Sequence, residues 1–382
     1  MPSSSSFLSR FARSCAVLVG IVSIIAGLLV SGTLARLGLF RALGRAWPRF
    51  IGLTPAFASS PWAFTHADVA ALDLSGQYAL ITGANSGVGF ETAMALARQG
   101  ARVALACRSA ARCAAAAEAV AAAKGEGARV STWDLDTSSL ASVRAFAAHF
   151  LATTDAPIDM LFLNAGFASA GTLPDGSLPL SVDGIELVMA TNHVGHALLF
   201  NLLLERLTAA PVSRVVLTSS ASSFDSYSYG VATDLKTLNA GGEPSAIAFP
   251  LLPYGQSKLA QILFAQEATA QLAAAGVTNV YVNSFHPGMV MTGIWGKNPL
   301  IPAVAMPFVD WLQNHMMWSG RDGALTMLYL GAAKDAIVGG DIRGQYYHPQ
   351  AVRVNPPQPY AQDRDLQARF WDFTKELANM GK

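Results

Sequence analysis

Tyr78-Ala79-Leu80-Ile81-Thr82-Gly83-Ala84-Asn85-Ser86-Gly87-Val88-Gly89 is the stretch whose reading decides the fold. Residues 78–82 form a short apolar run of strand length, and residues 90–99 have the length and periodicity of a helix. Between them, glycines at 83, 87 and 89 let the backbone turn sharply and come close to a bound group. A helix entered in this way presents its first amides to a pyrophosphate. Working outward, the runs 103–106, 160–163, 214–219 and 280–285 also read as buried strands, and 140–151, 185–207 and 254–274 as helices. Strand and helix in regular alternation predict an α/β fold: a doubly wound parallel sheet with helices on both faces and ligands beyond the carboxyl ends of the strands.

The composition fits such a body. Of 382 residues 52% are hydrophobic and only 13% charged, against about 25% charged in an ordinary soluble protein, which excludes disorder. Lys and Arg number 26 against 25 Asp and Glu, so no one-sign field exists to hold nucleic acid, and none is expected as a partner. Cys15, Cys107 and Cys113 make no CxxC pair; neither a disulfide framework nor a metal site is expected, and a reducing compartment fits. The tract 114–123 reads as an alanine-rich surface helix.

The apolar excess is concentrated at the N-terminus, where residues 14–35 run without a charge. As a helix this segment reaches about 33 Å against roughly 30 Å of hydrocarbon, so it predicts an N-terminal transmembrane helix. Arg10 and Arg13 precede it, and Arg36, Arg41, Arg45 and Arg49 follow. The heavier positive flank stays cytosolic, which places the rest of the chain on the cytosolic side of the endoplasmic reticulum or another organelle membrane. A cleaved secretory signal is the other reading, because Thr33-Leu34-Ala35 imitates a cleavage site. The later arginines, interleaved with Leu37, Phe40, Trp47 and Phe50, read as a segment lying among lipid headgroups.

Two further segments carry chemistry. Ala106-Cys107-Arg108-Ser109 lacks a carboxylate where an NAD enzyme presents one to the ribose, and the Arg108 guanidinium suits a 2′-phosphate, which points to NADP(H). Tyr254-Gly255-Gln256-Ser257-Lys258 sets a phenol and an ammonium four residues apart on one helix face. There the cation lowers the phenol from its usual pKa of about 10, so that it exchanges a proton with a carbonyl or alcohol near neutral pH.

Thr82-Gly83-x-x-x-Gly87-x-Gly89 resembles the signature of the short-chain dehydrogenase/reductases, and the resemblance extends over about residues 74–350. It implies a Rossmann-type fold in which Gly83, Asn85, Ser86, Gly87, Val88 and Gly89 hold the pyrophosphate. Asp136, with Asp134 as fallback, meets the adenine, and Asn164-Ala165-Gly166 turns under the adenosine ribose. By the same resemblance Ser220 orients the substrate oxygen and Tyr254 transfers the proton. Lys258 tunes Tyr254 and grips the ribose, and Asn192 holds a proton-relay water. His286-Pro287-Gly288-Met289-Val290-Met291-Thr292 resembles the turn whose Pro287, Gly288, Val290 and Thr292 meet the carboxamide of the nicotinamide.

Ala106-Cys107-Arg108, the turn at 286–292 and the 34 positions between Ser220 and Tyr254 resemble the branch of retinol dehydrogenases and the WW-domain oxidoreductase. No WW module is present, Thr137 replaces a usual Leu, and the insert 224–253 has its own character. The resemblance therefore implies a membrane-anchored NADP(H)-dependent oxidoreductase that interconverts a lipophilic carbonyl compound, retinal or a lipid aldehyde, and its alcohol. The expected organisation is an anchor and basic segment over 1–50, a linker over 51–73 and the catalytic domain over 74–382. An apolar lid is expected over 294–318, and pairing into a homodimer through the helices at 185–207 and 254–274 is implied. His193 and His196 read as packing or hydrogen-bonding residues.

A steroid or other ketone reductase is the alternative within the family. Outside it stand a non-catalytic nucleotide-binding membrane scaffold and a serine hydrolase, the latter lacking a GxSxG elbow.

Overall fold

The computed structural model describes residues 63–168, 171–241, 252–290, 317–356 and 359–380. Eight strands, β1 (Tyr78–Thr82), β2 (Arg102–Cys107), β3 (Val130–Asp134), β4 (Met160–Leu163), β5 (Ser213–Thr218), β6 (Val280–Phe285), β7 (Tyr346–His348) and β8 (Val352–Val354), form one sheet. Their order is β3-β2-β1-β4-β5-β6-β7-β8, parallel throughout except where β8 returns against β7. The order reverses between β1 and β4, and the crevice above their carboxyl ends is where such sheets take a ligand.

Helices α1 (His66–Ala70), α2 (Gly87–Arg98), α3 (Ala110–Ala123), α4 (Leu140–Thr153), α5 (Gly195–Leu202), α6 (Leu252–Ala274), α7 (Leu325–Ala332) and α8 (Arg364–Leu377) surround the sheet. Alternate strand residues point to opposite faces. Leu80, Leu161, Val215 and Leu217 pack with Val143 and Phe150 of α4, Leu198 of α5 and Leu259 of α6. Ile81, Phe162 and Val216 pack on the other side with Leu96 of α2, Val120 of α3 and Leu328 of α7. The expected doubly wound α/β architecture is therefore present.

Three features differ from the sequence reading. The end of the expected linker is structured: the Thr65 side chain caps α1, the Asp68 carboxylate answers the Thr65 amide at 2.8 Å, and Phe64 and Val69 are buried. The strand β3 is an edge strand with Ser131, Thr132 and Asp134 exposed, so it carries no apolar run to betray it. The segment read as one helix over 185–207 is broken. Leu187–Met189 leads into a π-helical turn, Ala190–Val194, before α5 and a last piece, Leu204–Thr208.

Among the described residues no helix is long and apolar enough to cross a membrane. The apolar run 14–35 lies outside them, as does 294–316 of the expected lid. Met317 and Trp318, at the end of that lid, are buried, and the Trp318 amide donates to the Met289 carbonyl at 2.8 Å. The helices expected to pair carry α8: Trp371 stacks on Phe264 with ring centroids 5.1 Å apart, and Phe370 lies 5.0 Å from the His193 ring.

Arg214 on β5 is the largest fully buried side chain among the described residues, at 1% exposure. It donates to the carbonyls of Gly331 at 2.9 Å and Val212 at 2.8 Å and to Oε1 of Gln77 at 2.6 Å. Burial lowers its pKa to about 10. Replacing it by Met leaves three acceptors unmet. Arg214→Met is therefore expected to lower unfolding free energy by about 2–4 kcal/mol, read as a shifted denaturation midpoint at unchanged m-value.

Candidate active site

The site begins at the end of β1. Gly83 and Gly87 have φ of +66° and +59°, the left-handed region that favours glycine. A Cβ on Gly83 would stand 2.9 Å from Ala165 Cα, and one on Gly89 would meet the Asn164 amide nitrogen at 2.5 Å, so the turn after β1 and the turn after β4 touch only because both are glycine. Ser86 occupies the N-cap of α2 without a side-chain capping bond. The first amides of α2 are thereby left to an anion.

These parts line a cavity of about 960 Å³. Gly83, Asn85, Ser86, Gly87, Val88, Arg108, Asp136, Asn164, Ala165, Gly166, Tyr254 and Lys258, all singled out in the sequence, share its wall. The lining suits a dinucleotide: glycines at 83, 87 and 166, the uncapped first turn of α2, and two exposed guanidinium groups. Asp136 accepts from the amide and hydroxyl of Ser138 at 2.9 and 2.6 Å, which fixes its carboxylate in the wall. Asp134, the fallback, does not line the cavity.

Thr137, noted as a departure in the sequence, also lines it, and so do Arg112, Phe167, Leu187 and Thr191, which were not singled out. Arg112 falls four residues after Arg108, a spacing that carries a signal once the start of α3 at Ala110 is known. Both arginines are exposed, and neither has an ion pair or side-chain hydrogen bond among the described residues.

Cys107, the last residue of β2, is joined by a disulfide to Cys113 in the first turns of α3. No such bond was expected, because a spacing of six residues has no cysteine-motif meaning until strand and helix are folded against each other.

Tyr254 and Lys258 line the same cavity, whereas Ser220 and Asn192 are not part of its wall. Tyr254 and Lys258 rise from the first turns of α6, and the Ser220 hydroxyl hydrogen-bonds to the Tyr254 phenol. Ser220 also caps the turn Ala221–Asp225, accepting from the Ser222 amide at 3.1 Å, which fixes its side chain. Lys258 Nζ donates to the Thr218 carbonyl at 2.7 Å and lies 5.5 Å from the centre of the Tyr254 ring. Burial lowers Lys258 to about 7. Burial raises the Tyr254 phenol, with the Ser220 hydrogen bond opposing. Lys258 does not enter that balance, because its ammonium is turned to the Thr218 carbonyl rather than to the phenolic oxygen.

Asn192 sits on the π-helical turn, completely buried. Its amide donates to the Phe167 carbonyl at 3.0 Å and to Ser257 Oγ at 2.9 Å, and its side-chain oxygen accepts from the Phe167 amide at 3.0 Å. The Asn192 main-chain carbonyl accepts from Gln261 and, at 3.0 Å, from His196. Both contacts hold the main chain of the π-helical turn in place.

His193 and His196 are buried and hydrogen-bonded, His193 to Thr374 at 3.0 Å, and burial lowers them to about 4 and about 3. Pro287, Gly288 and Val290 follow β6 but do not line the cavity. Gly288 has φ of +83°, and its amide donates to His286 Nδ1 at 3.0 Å. Thr292 lies outside the described residues.

Lys258 gives a pH dependence with a definite sign. Its proton is bound less tightly in the folded chain, at about 7, than in the unfolded chain, at 10.5. Between these values the unfolded state binds more protons, so stability rises with pH by up to about 1.4 kcal/mol per unit. Unfolding titrations across that window are expected to lose this slope in Lys258→Met.

Residues 77–232 match the short chain dehydrogenase family model. The chain is 36% identical over 314 residues to dehydrogenase/reductase SDR family member 13 of Bos taurus, covering 81% of this chain and 74% of that one. It is 34% identical over 319 residues to retinol dehydrogenase 14 of Mus musculus, covering 81% and 88%. Among solved structures, a protein of Mycobacterium paratuberculosis superposes with a TM-score of 0.59 at 30% identity, covering 81% and 97%. On these matches the chain belongs to the short-chain dehydrogenase/reductase family of oxidoreductases, in the retinol dehydrogenase-like branch.

Proposed function

We propose that this chain is an NADP(H)-dependent, membrane-anchored reductase of a lipophilic carbonyl compound, retinal or a lipid aldehyde. The observation that carries the reading is the Ser220–Tyr254–Lys258 constellation, whose Tyr254 and Lys258 line a glycine-cradled cavity. When bound, the nicotinamide supplies the hydride that the carbonyl carbon receives. Tyr254, raised by burial, keeps its proton at neutral pH and gives it to the carbonyl oxygen. The Ser220 hydroxyl hydrogen-bonds the same oxygen and later the phenolate. Lys258 places a buried positive charge beside the Tyr254 ring, which favours the phenolate as it forms. Asn192 holds the Phe167 backbone and Ser257, and so the wall beside the reacting groups.

NADP(H) is favoured over NAD(H) by two exposed, unpaired guanidinium groups, Arg108 and Arg112, at the rim where a 2′-phosphate would lie. The lipophilic substrate is supported by the name of the retinol dehydrogenase relative and by the apolar run 14–35, which would dissolve the anchor in the bilayer that holds such compounds. The membrane would be that of the endoplasmic reticulum or another organelle, with the catalytic body facing the cytosol. A homodimer through α5 and α6 would have to include α8, which lies on them.

The test is NADPH oxidation by the detergent-solubilised chain against retinal, long-chain aldehydes and keto-steroids, repeated with NADH. Turnover with retinal or an aldehyde, faster with NADPH, is the expected result; turnover confined to keto-steroids would favour the ketone reductase, and none at all the scaffold. In the same assay Tyr254→Phe is expected to lose at least about a thousandfold in kcat, with the NADPH Kd changed by less than about threefold. Substantial turnover in that variant would remove Tyr254 from the role of proton donor.

A further inference from the structure

We propose that the Cys107–Cys113 disulfide is a redox-sensitive clamp that sets the preference of the nucleotide site for a 2′-phosphate. The inference rests on the NADP(H) reading above and deepens it.

The bond closes a ring around Arg108 and Arg112, the two arginines at the cavity rim. Its two ends are held unequally. Cys107 is the last residue of β2, paired in register with Asp134 of β3, and its carbonyl accepts from the Leu135 amide at 3.0 Å. The neighbouring Ala106 carbonyl accepts from the Gly83 amide at 2.8 Å. Cys113 belongs to α3, whose N-cap Ser109 makes no side-chain capping bond. A covalent link from the fourth helical residue to the strand therefore does what a cap elsewhere does, and holds the first turn of α3 against the sheet.

Reduction breaks the Sγ–Sγ bond and leaves two thiols. Two electrons and two protons come from a dithiol reductant, which closes its own disulfide. Two unbonded sulfurs must stand about 1.5 Å farther apart than bonded ones. Both cysteines are only 1% exposed in a packed core, so the separation cannot be absorbed in place. The strand is pinned by its pairing; the uncapped helix turn moves, and Arg112, one residue before Cys113, moves with it. Cys107 lines the cavity, which gives a reductant its route to the bond from the nucleotide side. The adenine wall at Asp136 and the glycine turn are outside the ring, so a nucleotide without the 2′-phosphate feels little of the change.

The experiment titrates the full chain in detergent with NADPH and with NADH by calorimetry, untreated and after dithiothreitol, with thiol alkylation and mass spectrometry to count the bond. In the untreated chain Cys107 and Cys113 are expected to resist alkylation and NADPH to bind more tightly than NADH. After reduction the NADPH Kd is expected to rise about tenfold, the loss of one charge-assisted contact, while the NADH Kd stays within about twofold. Cys113→Ala should show the reduced pattern with or without dithiothreitol, its NADH binding showing that it is folded.

An NADPH Kd unmoved by reduction and by Cys113→Ala overturns the clamp and leaves the NADP(H) reading standing. Equal losses for both nucleotides overturn it too, as does alkylation of both cysteines in the untreated chain. If the untreated chain shows no preference for NADPH, the Arg108 reading fails, and this inference with it.

Discussion

The site depends on one hydroxyl. Thr82 Oγ1, completely buried at the end of β1, accepts from the amides of Asn164 and Ala165 at 2.8 and 2.9 Å and meets His196 Nε2 at 2.9 Å. The Asn192 carbonyl can only accept, so His196 carries its proton on Nδ1, and Nε2 is left to accept from Thr82. Every lone pair and proton of Thr82 is then used. Through it the glycine turn after β1, the Asn164-Ala165-Gly166 turn after β4 and the π-helical turn bearing Asn192 are tied at the point where the strand order reverses. Asn164 completes the knot by donating its side-chain amide to the Thr82 carbonyl at 3.0 Å. Nucleotide cradle and catalytic wall are therefore one network.

The same dryness that makes this network strong sets the proton states around it. The buried imidazoles of His193, His196 and His286 are held below their usual range by burial, and the phenols of Tyr254 and Tyr346 above theirs. Each is neutral near pH 7 and contributes shape and hydrogen bonds without charge. Lys258 differs in being brought to about 7, where a small change in its surroundings alters its charge. An anion arriving beside it, such as a phenolate, would favour the ammonium, so the lysine becomes more fully charged as the proton leaves Tyr254.

How much of this was legible in the sequence follows from what each element buries. The strands β1, β2, β4, β5 and β6 are flanked on both faces and read as apolar runs. The edge strand β3 alternates Ser131 and Thr132 with half-buried neighbours, and β7 and β8 have three residues each, so none carries the pattern. The site residues were legible because glycine, tyrosine and lysine had to stand at fixed spacings within single turns. What escaped was whatever needs two distant segments at once. Arg214 looked like the start of an apolar run, and its partner Gly331 lies 117 residues away. The π-helical turn leaves no mark in hydrophobic periodicity, and Gln261 reaches Asn192 only because α6 runs alongside it.

The two ends of the cavity divide the work in a way that the energetics require. At the adenosine end the groups are exposed and cationic, and the contacts they offer are the same before and after reaction, so they contribute affinity. Around Tyr254, Lys258 is buried, Ser220 and Tyr254 are half-buried, and Ser220 is fixed by the Ser222 amide and Lys258 by the Thr218 carbonyl. Such groups gain little from a ground-state ligand and most when charge develops on the reacting oxygen. Binding strength from the first end holds the ligand in register for the second, and the Thr82 knot between them keeps that register from slackening. A residue such as His196, which touches neither nucleotide nor substrate, thus acts on both through Thr82 and Asn192.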